Sequence, residues 1–348
     1  PYTTLFRSVT IKDLAKELEI STSTVSRALC DKWDIKPETR KAVLELAERW
    51  NYKPNPVSLS LRQNQSMFIG VIVPEFVNSF FSEVIIGIQS ILNPEGYHVL
   101  IMQSNESHEN ELQNMKALEA QLVDGFLISV THESKNTDYF SKLIEANFPL
   151  VFFNRVCDVL NAPCVMIDDY KWAFCAVEHL VRQGCRRIMH LAGPENLLIA
   201  RNRKLGYMDA LRKYGLPIDE NLIIDCGITM EKGVMAAHVI LEMDVLPDAV
   251  FAVNDPVAIG AMKTLQKNGL RIPDDIAIVG FSESKAASIV EPNLTSVEQP
   301  TLEMGRSAAQ LLLEQIKHNV KDKGTPLSKS IILDAKLNIR ESSFKVEK

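Results

Sequence analysis

The chain opens on a helical period. In Val9-Thr10-Ile11-Lys12-Asp13-Leu14-Ala15-Lys16-Glu17-Leu18, the apolar Ile11, Leu14, Ala15 and Leu18 share one face. Thr10 is placed to cap this helix, with Asp13 completing a capping box. After a break at Glu19-Ile20, Ser21 caps a second helix that buries Val25, Ala28 and Leu29 and leaves Thr22, Ser23, Ser26 and Arg27 outside. A third helix runs from Pro37 to Trp50, with proline in its first position and Ala42, Val43, Leu46 and Ala47 as its apolar stripe. Trp33 and Trp50 are expected to complete the small core of these three helices. Asn51-Tyr52-Lys53-Pro54-Asn55-Pro56 follows as a linker stiffened by two prolines. Val57 to Arg62 is then long enough for a short helix only if something else holds it.

From Met67 the period changes to alternating strands and helices. Strands are predicted at Phe68–Val73, Val99–Met102, Gly125–Ser129, Pro149–Phe153, Cys164–Ile167, Arg187–Gly193, Leu222–Ile224, Ala249–Val253 and Ile276–Phe281. The helices between them are predicted at Phe81–Leu92, Glu109–Ala120, Tyr139–Glu145, a stretch ending near Gln183, a stretch through Gly206-Tyr207 to Tyr214, Lys232–Leu241 and Val257–Lys267. Thr295–Pro300 precedes a last helix from Met304 to Lys317, and two short strands close the chain. Such alternation means parallel sheets covered by helices on both faces. About 280 residues of it exceed one ordinary sheet, so two doubly wound lobes are the economical arrangement.

Charge adds a weak polarity. Residues 1–66 carry eleven Lys/Arg against eight Asp/Glu, a balance of +3 that leaves −9 for the rest of a chain whose net charge is −6. The sense suits a nucleic-acid module on an acidic body, although +3 is small. A short helix with an apolar inner face and small polar residues plus Arg outside is what a helix-turn-helix needs in the major groove. The same pattern also fits two surface helices of any small bundle. No run approaches a membrane span and no export signal precedes the first helix, so a cytoplasmic protein is expected. Cys30, Cys157, Cys164, Cys175, Cys185 and Cys226 show no C-x-x-C spacing and read as reduced thiols. Pro1 to Ser8 fit no helical pattern, look like the translation of a sequencing adapter, and are left out of the fold.

Enzyme chemistry finds little support. Asp168-Asp169 and Asp274-Asp275 are adjacent in sequence, where carboxylates diverge, and read better as caps and turn residues. The histidines and cysteines form no nucleophile or metal motif, and no phosphate-binding glycine loop is present. No cofactor, metal or catalytic residue is expected.

Several motifs, in order and spacing, resemble the LacI/GalR family of transcriptional regulators over nearly the whole chain. They are Val9–Ala15, Ser23-Thr24-Val25-Ser26-Arg27, Asn51–Asn55, Gly193-Pro194, Arg203–Tyr207, Asn254-Asp255 and Val279-Gly280-Phe281. The resemblance implies an α/β protein with a helix-turn-helix headpiece over 9–54 and a hinge helix and linker over 55–66. A two-lobed core over 67–348, similar to periplasmic binding proteins, would follow. Its N-lobe would take about 67–165 plus 298–332, and its C-lobe about 166–297 plus 333–345, with three crossings between them. It further implies a repressor, not an enzyme, that binds a pseudo-palindromic double-stranded operator as a homodimer and a sugar-like effector in the interlobe cleft. A ligand receptor of the periplasmic type is the alternative that the core alone would support.

By matching positions, Thr22, Ser23 and Arg27 would touch base edges, and Arg27 could donate twice to a guanine. Ser21, Thr24, Ser26 and Asn51 would contact phosphates. Thr10, Tyr52, Ser58 and Arg62 complete the DNA-contacting set, and Leu61 matches a hinge leucine that wedges into the minor groove. The effector contacts implied are Phe80, Phe81, Asn154, Arg155, Arg201, Arg203, Asp255 and Gln299, a set suited to a polyhydroxylated or anionic ligand. Asp255 stands out, since it follows a buried strand at its carboxyl end. For Phe80 and Phe81 core packing, and for Arg203 a structural ion pair, are the competing roles. Several positions depart from the family pattern: Glu19 where glycine is usual in the turn, Pro56 at the hinge, Trp172, and Ser282-Glu283 in place of an acidic pair.

Overall fold

The capping chemistry at the start of the chain sets its first helices. In the computed structural model, which describes residues 9–29, 34–52, 65–77, 79–321 and 329–344, helix α1 spans Ile11–Glu17. Thr10 N–H donates to Asp13 Oδ2 at 2.8 Å while Asp13 N–H donates back to Thr10 Oγ1 at 3.4 Å, a reciprocal capping box. Helix α2, Thr22–Leu29, is capped by Ser21 Oγ, which accepts from Thr24 N–H at 3.1 Å. Helix α3 covers Pro37–Arg49. Their shared core is Leu14, Ala15, Val25, Ala28, Val43, Leu46 and Ala47, with Trp50 and Tyr52 packed against it. Trp33, Cys30, residues 1–8 and the hinge segment with Pro56, Ser58, Leu61 and Arg62 lie outside the described residues.

Between α1 and α2 the chain turns through Glu19 at φ +52°, and Ile20 N–H closes the turn on the Ala15 carbonyl at 3.1 Å. The left-handed conformation that glycine adopts freely is therefore kept with a glutamate in place.

Residues 67–348 form a separate unit built on two six-stranded sheets. The first contains β1 (Phe68–Val73), β2 (His98–Gln103), β3 (Phe126–Ile128), β4 (Leu150–Phe153), β5 (Cys164–Ile167) and β11 (Ser330–Leu333) in the order β11-β5-β4-β3-β1-β2, all parallel. Its helices are α4 (Ser79–Leu92), α5 (His108–Ala120), α6 (Thr137–Glu145) and α11 (Thr301–Lys321). The second contains β6 (Ile188–Ala192), β7 (Ile223–Asp225), β8 (Ala249–Ala252), β9 (Ala277–Phe281), β10 (Thr295–Glu298) and β12 (Lys336–Asn338) in the order β12-β10-β9-β8-β6-β7, parallel except for the β12 edge. Its helices are α7 (Asp169–Arg182), α8 (Leu198–Lys213), α9 (Met230–Leu241) and α10 (Asp255–Lys267). Strands β3, β4, β6, β8 and β9 are buried along their whole length, which explains why they read as continuous apolar runs.

The chain passes between the two sheets after β5, after β10 and after β11, so each lobe is assembled from separated segments. In the first lobe α4 and α11 touch backbone to backbone. A Cβ at Gly305 would stand 2.0 Å from the Val84 carbonyl oxygen, and one at Gly87 would stand 2.2 Å from that of Leu302. Only glycine allows that approach.

Several elements differ from the sequence pattern. Strand β10 holds one large apolar residue, and its buried Thr295 and Ser296 are satisfied by Arg340, Ser342 and Asp255, so periodicity did not mark it as a strand. Helix α8 runs through Gly206 and Tyr207 as expected, and its start at Leu198 puts mixed side chains of its first two turns on the cleft. Helices α9 and α10 start two residues earlier than the apolar stripe suggests, at their Thr229 and Asn254 caps. Among the described residues no helix is long and apolar enough to cross a membrane.

Replacing Glu19 by glycine is expected to stabilise the three-helix unit modestly. The left-handed cost of about 1–2 kcal/mol exceeds glycine's added unfolded-state entropy of about 0.5–1 kcal/mol. Slower amide exchange at Leu14 and Val25 in the full chain would report it; faster exchange would contradict it.

Candidate functional sites

On α2 the structure gathers Ser21, Thr22, Ser23 and Arg27 as exposed residues, while Thr24 and Ser26 are half-buried. Ser21 Oγ lies 2.7 Å from Ser23 Oγ and 2.8 Å from Thr24 Oγ1, so the cap orders the first turn. Arg27 Nη1 donates to Asp34 Oδ2 at 2.9 Å and Nε donates to the Ser23 carbonyl at 3.3 Å. The acid partner lies seven positions along the chain, a separation that carries no local sequence signal. Thr10 is exposed but engaged with Asp13, Asn51 is exposed at φ +48° where α3 ends, and Tyr52 packs against the core.

The second site is the cleft between the lobes, formed at the carboxyl ends of β1, β4, β7, β8 and β9, where open α/β sheets hold ligands. With its solvent-open mouth it comprises about 640 Å³, within the range of small-molecule sites. Six of the eight residues implied by resemblance line it: Phe80, Phe81, Asn154, Arg155, Arg203 and Gln299. Phe81 is 2% exposed and belongs to the core, its ring edge-on to Phe80 at 5.1 Å, so Phe80 offers the more accessible aromatic surface.

Two of the expected contacts, Arg201 and Asp255, are not among the residues that line the cleft. Arg201 lies two residues before Arg203 on α8 and so faces a different side of the helix. It pairs there with Asp158 of the other lobe and donates to the Glu195 carbonyl at 3.0 Å. Asp255 is fully buried beneath the lining. Its carboxylate accepts from Ser296 Oγ at 2.6 Å and from Ser284 N–H at 2.5 Å, holding the 282–284 loop. The neighbouring Asn254 and Pro256 reach the cleft instead, and Asn254 Oδ1 caps α10 by accepting from Val257 N–H at 3.0 Å. Glu75, Leu197, Ile199, Ile228, Val253, Ser282 and Ser284 line it too. Their shared signal is that they follow strand ends or open a helix.

Each cleft arginine has its own acid. Arg203, 2% exposed, donates from Nε and Nη2 to Asp169 Oδ1 at 2.8 and 2.6 Å and from Nη1 to the Val253 carbonyl at 2.6 Å. Its guanidinium stacks on the Phe281 ring with 3.7 Å to the centroid. The structural ion pair is thus present, at a residue that also lines the cleft. Arg155 Nη1 donates to Glu106 Oε1 at 2.8 Å. Burial would raise the Glu106 pKa, but Arg155 and hydrogen bonds from His132 hold it down at about 2. Three buried atoms of the lining, Arg155 Nε, Ser284 Oγ and Gln299 Oε1, have no hydrogen-bond partner among the described residues. Such atoms are uncommon in folded proteins and cost about 1–3 kcal/mol each until something meets them. Among the described residues no cluster of metal-ligating side chains is present.

Comparison with known proteins agrees with this architecture. Residues 10–55 match the family model described as bacterial regulatory proteins, lacI family, and residues 66–338 match that of periplasmic binding proteins and the sugar binding domain of the LacI family. The chain belongs to the LacI family. It is a DNA-binding transcriptional regulator, and the receptor alternative is set aside because the headpiece model matches as well as the core. The HTH-type transcriptional repressor CytR of Escherichia coli (strain K12) is 34% identical over 97% of this chain and 96% of its own length. The Lac repressor dimer bound to operator and the anti-inducer ONPF is similar in structure, with a TM-score of 0.83 and 25% identity over 97% of this chain and all of that one. The transcriptional regulator CelR–cellobiose complex has a TM-score of 0.73 and 29% identity over 96% and 99% of the two chains. The LacI-family relatives are regulators, not enzymes.

Two stability effects follow. Asp169→Asn leaves a buried guanidinium without its acid and is expected to cost about 3–5 kcal/mol in urea unfolding. Burial raises the Asp255 carboxyl to about 7, against hydrogen bonds from Ser296 and Ser284 that lower it and with Glu283 adding to the rise. Because the folded state holds this proton more tightly than the unfolded chain, stability should fall as pH rises from about 4 to about 7, then level off. The fall should be on the order of a few kcal/mol and absent in Asp255→Asn, as read by urea unfolding at each pH.

Proposed function

We propose that this LacI-family regulator represses transcription in the cytoplasm as a homodimer, reading a pseudo-palindromic operator with α2 and responding to a sugar or sugar derivative in the cleft. The observation that carries the ligand reading is the set of buried, unpartnered polar atoms, Arg155 Nε, Ser284 Oγ and Gln299 Oε1, in a lining that also offers Phe80, Asn154 and Asn254. Hydroxyls would satisfy those atoms while a sugar ring stacks on Phe80. The CelR relative in complex with cellobiose supports a sugar-like occupant.

Thr22, Ser23 and Arg27 take base edges in this reading, and Thr10, Ser21, Thr24, Ser26, Asn51 and Tyr52 position the headpiece on phosphates. Residues 55–66, with Ser58, Leu61 and Arg62, supply a hinge that supports its twin in the dimer. The Lac repressor dimer on its operator supports the symmetric arrangement. Exposed Ile86 on α4 and Ile101 on the edge strand β2 supply apolar surface for a second copy in one lobe, and Met230 and Met235 on α9 do so in the other. Ligand changes DNA affinity by its differential affinity for two lobe arrangements.

Selection from a randomised duplex pool should return a two-fold symmetric site bound at least about a thousand-fold tighter than random DNA at moderate salt. Arg27→Ala should then lose about 1–3 kcal/mol of discrimination at one base pair per half-site. A selected site bound no better than random duplex would refute the DNA reading. A panel of sugars and sugar derivatives should contain one that raises the melting temperature and alters operator affinity.

A further inference from the structure

The cleft contains two guanidinium groups, yet its charge is already spent. We propose that Glu106 is a specificity-determining residue that orients Arg155 and cancels its charge, so that the cleft takes an uncharged, hydroxyl-bearing ligand and discriminates against phosphorylated or carboxylated ones. This inference rests on the reading of the cleft as the ligand site.

Glu106 lies outside the cleft lining and is built to hold one position. It follows Asn105, and both residues adopt left-handed backbone, at φ +59° and +52°, which non-glycine residues rarely do in succession. The turn aims the carboxylate at a ring of donors. Glu106 Oε1 accepts from Arg155 Nη1 at 2.8 Å; Oε2 accepts from His132 N–H at 2.9 Å and Thr131 Oγ1 at 3.1 Å, and lies 2.9 Å from His132 Nδ1. The loop carrying Thr131 and His132 is fixed in turn by the fully buried Glu111, which accepts from Thr131 N–H at 2.8 Å, Ser134 Oγ at 2.5 Å and Asn136 Nδ2 at 2.8 Å. Glu106 is therefore braced from behind and reaches forward to a single cleft residue.

The consequence for Arg155 is specific. With Nη1 held by the carboxylate, the buried Nε without a partner is one neutralised N–H donor, which suits a hydroxyl or carbonyl oxygen. Arg203 offers no free charge either, since Asp169 occupies Nε and Nη2 and the Val253 carbonyl occupies Nη1. Among the described residues no lysine lines the cleft. An anionic ligand would thus enter a site in which both lining arginines are neutralised.

The test compares wild type, Glu106→Gln and Glu106→Gln with Arg155→Met, using melting temperature in millimolar inorganic phosphate against chloride at equal ionic strength. Glu106→Gln keeps the shape but unmasks Arg155, so it should gain several degrees of phosphate-dependent stabilisation that wild type lacks. The double substitution should lose that gain. A Glu106→Gln response no larger than that of wild type, or a gain that survives removal of Arg155, would overturn the inference. If Glu106→Gln does not fold, Arg155→Gln decides the matter. Its stability deficit against wild type should widen as pH rises from 4 to 7, because the carboxylate has lost the cation that favoured its ionised form. A pH-independent deficit would count against the pairing. Failure of every neutral sugar to bind while the phosphate result holds would refute the ligand reading and leave the role of Glu106 standing.

Discussion

The Asp169–Arg203 pair ties together more of the cleft than any other contact in the core. Asp169 opens α7 just after the first crossing between lobes, and Arg203 lies in the second turn of α8. The guanidinium also binds the carbonyl at the end of β8 and stacks on Phe281 at the end of β9. Four segments far apart in sequence are thereby fixed around one charge. A buried guanidinium is tolerable only with its acid and acceptors in place, so the ends of these elements are constrained to about the tolerance of a hydrogen bond.

The first lobe repeats the device with Glu106 and Arg155. Both lobes thus present arginine donors whose charge is compensated locally, and recognition falls to geometry rather than net attraction. The contacts that span the lobes are of another kind. Arg201–Asp158 and Lys285–Glu83, the latter at 3.7 Å, are both partly exposed ion pairs. Such pairs are worth about 0–1 kcal/mol each, small beside the binding energy of a ligand. A ligand that prefers one lobe arrangement can therefore set the population.

In the headpiece the same economy appears at smaller scale. Three helices with a seven-residue buried core depend on caps at Thr10 and Ser21 and on a left-handed Glu19 to set the angle at which α2 is presented. Arg27, the side chain best suited to a guanine, is held by Asp34 and Ser23. Its donors are ordered but partly neutralised, which fits a module whose balance of +3 gives little non-specific attraction to DNA.

Periodicity alone determined the helix-turn-helix elements, the βαβ alternation and the division into two doubly wound lobes, because apolar spacing follows from which face must be buried. The resemblance pointed to six of the sixteen residues that line the cleft, since ligand-facing positions sit at strand ends that are easy to locate along a chain. Sequence could not place β10, whose buried Thr295 and Ser296 are satisfied by partners over 40 residues away. Nor could it show that Arg201 pairs with Asp158 of the other lobe, that Asp255 lies beneath the lining, or that Glu106 reaches Arg155 across 49 positions. Those facts depend on the direction of single side chains. Only the packed structure fixes that direction, because a buried charge is placed by the partners it can reach.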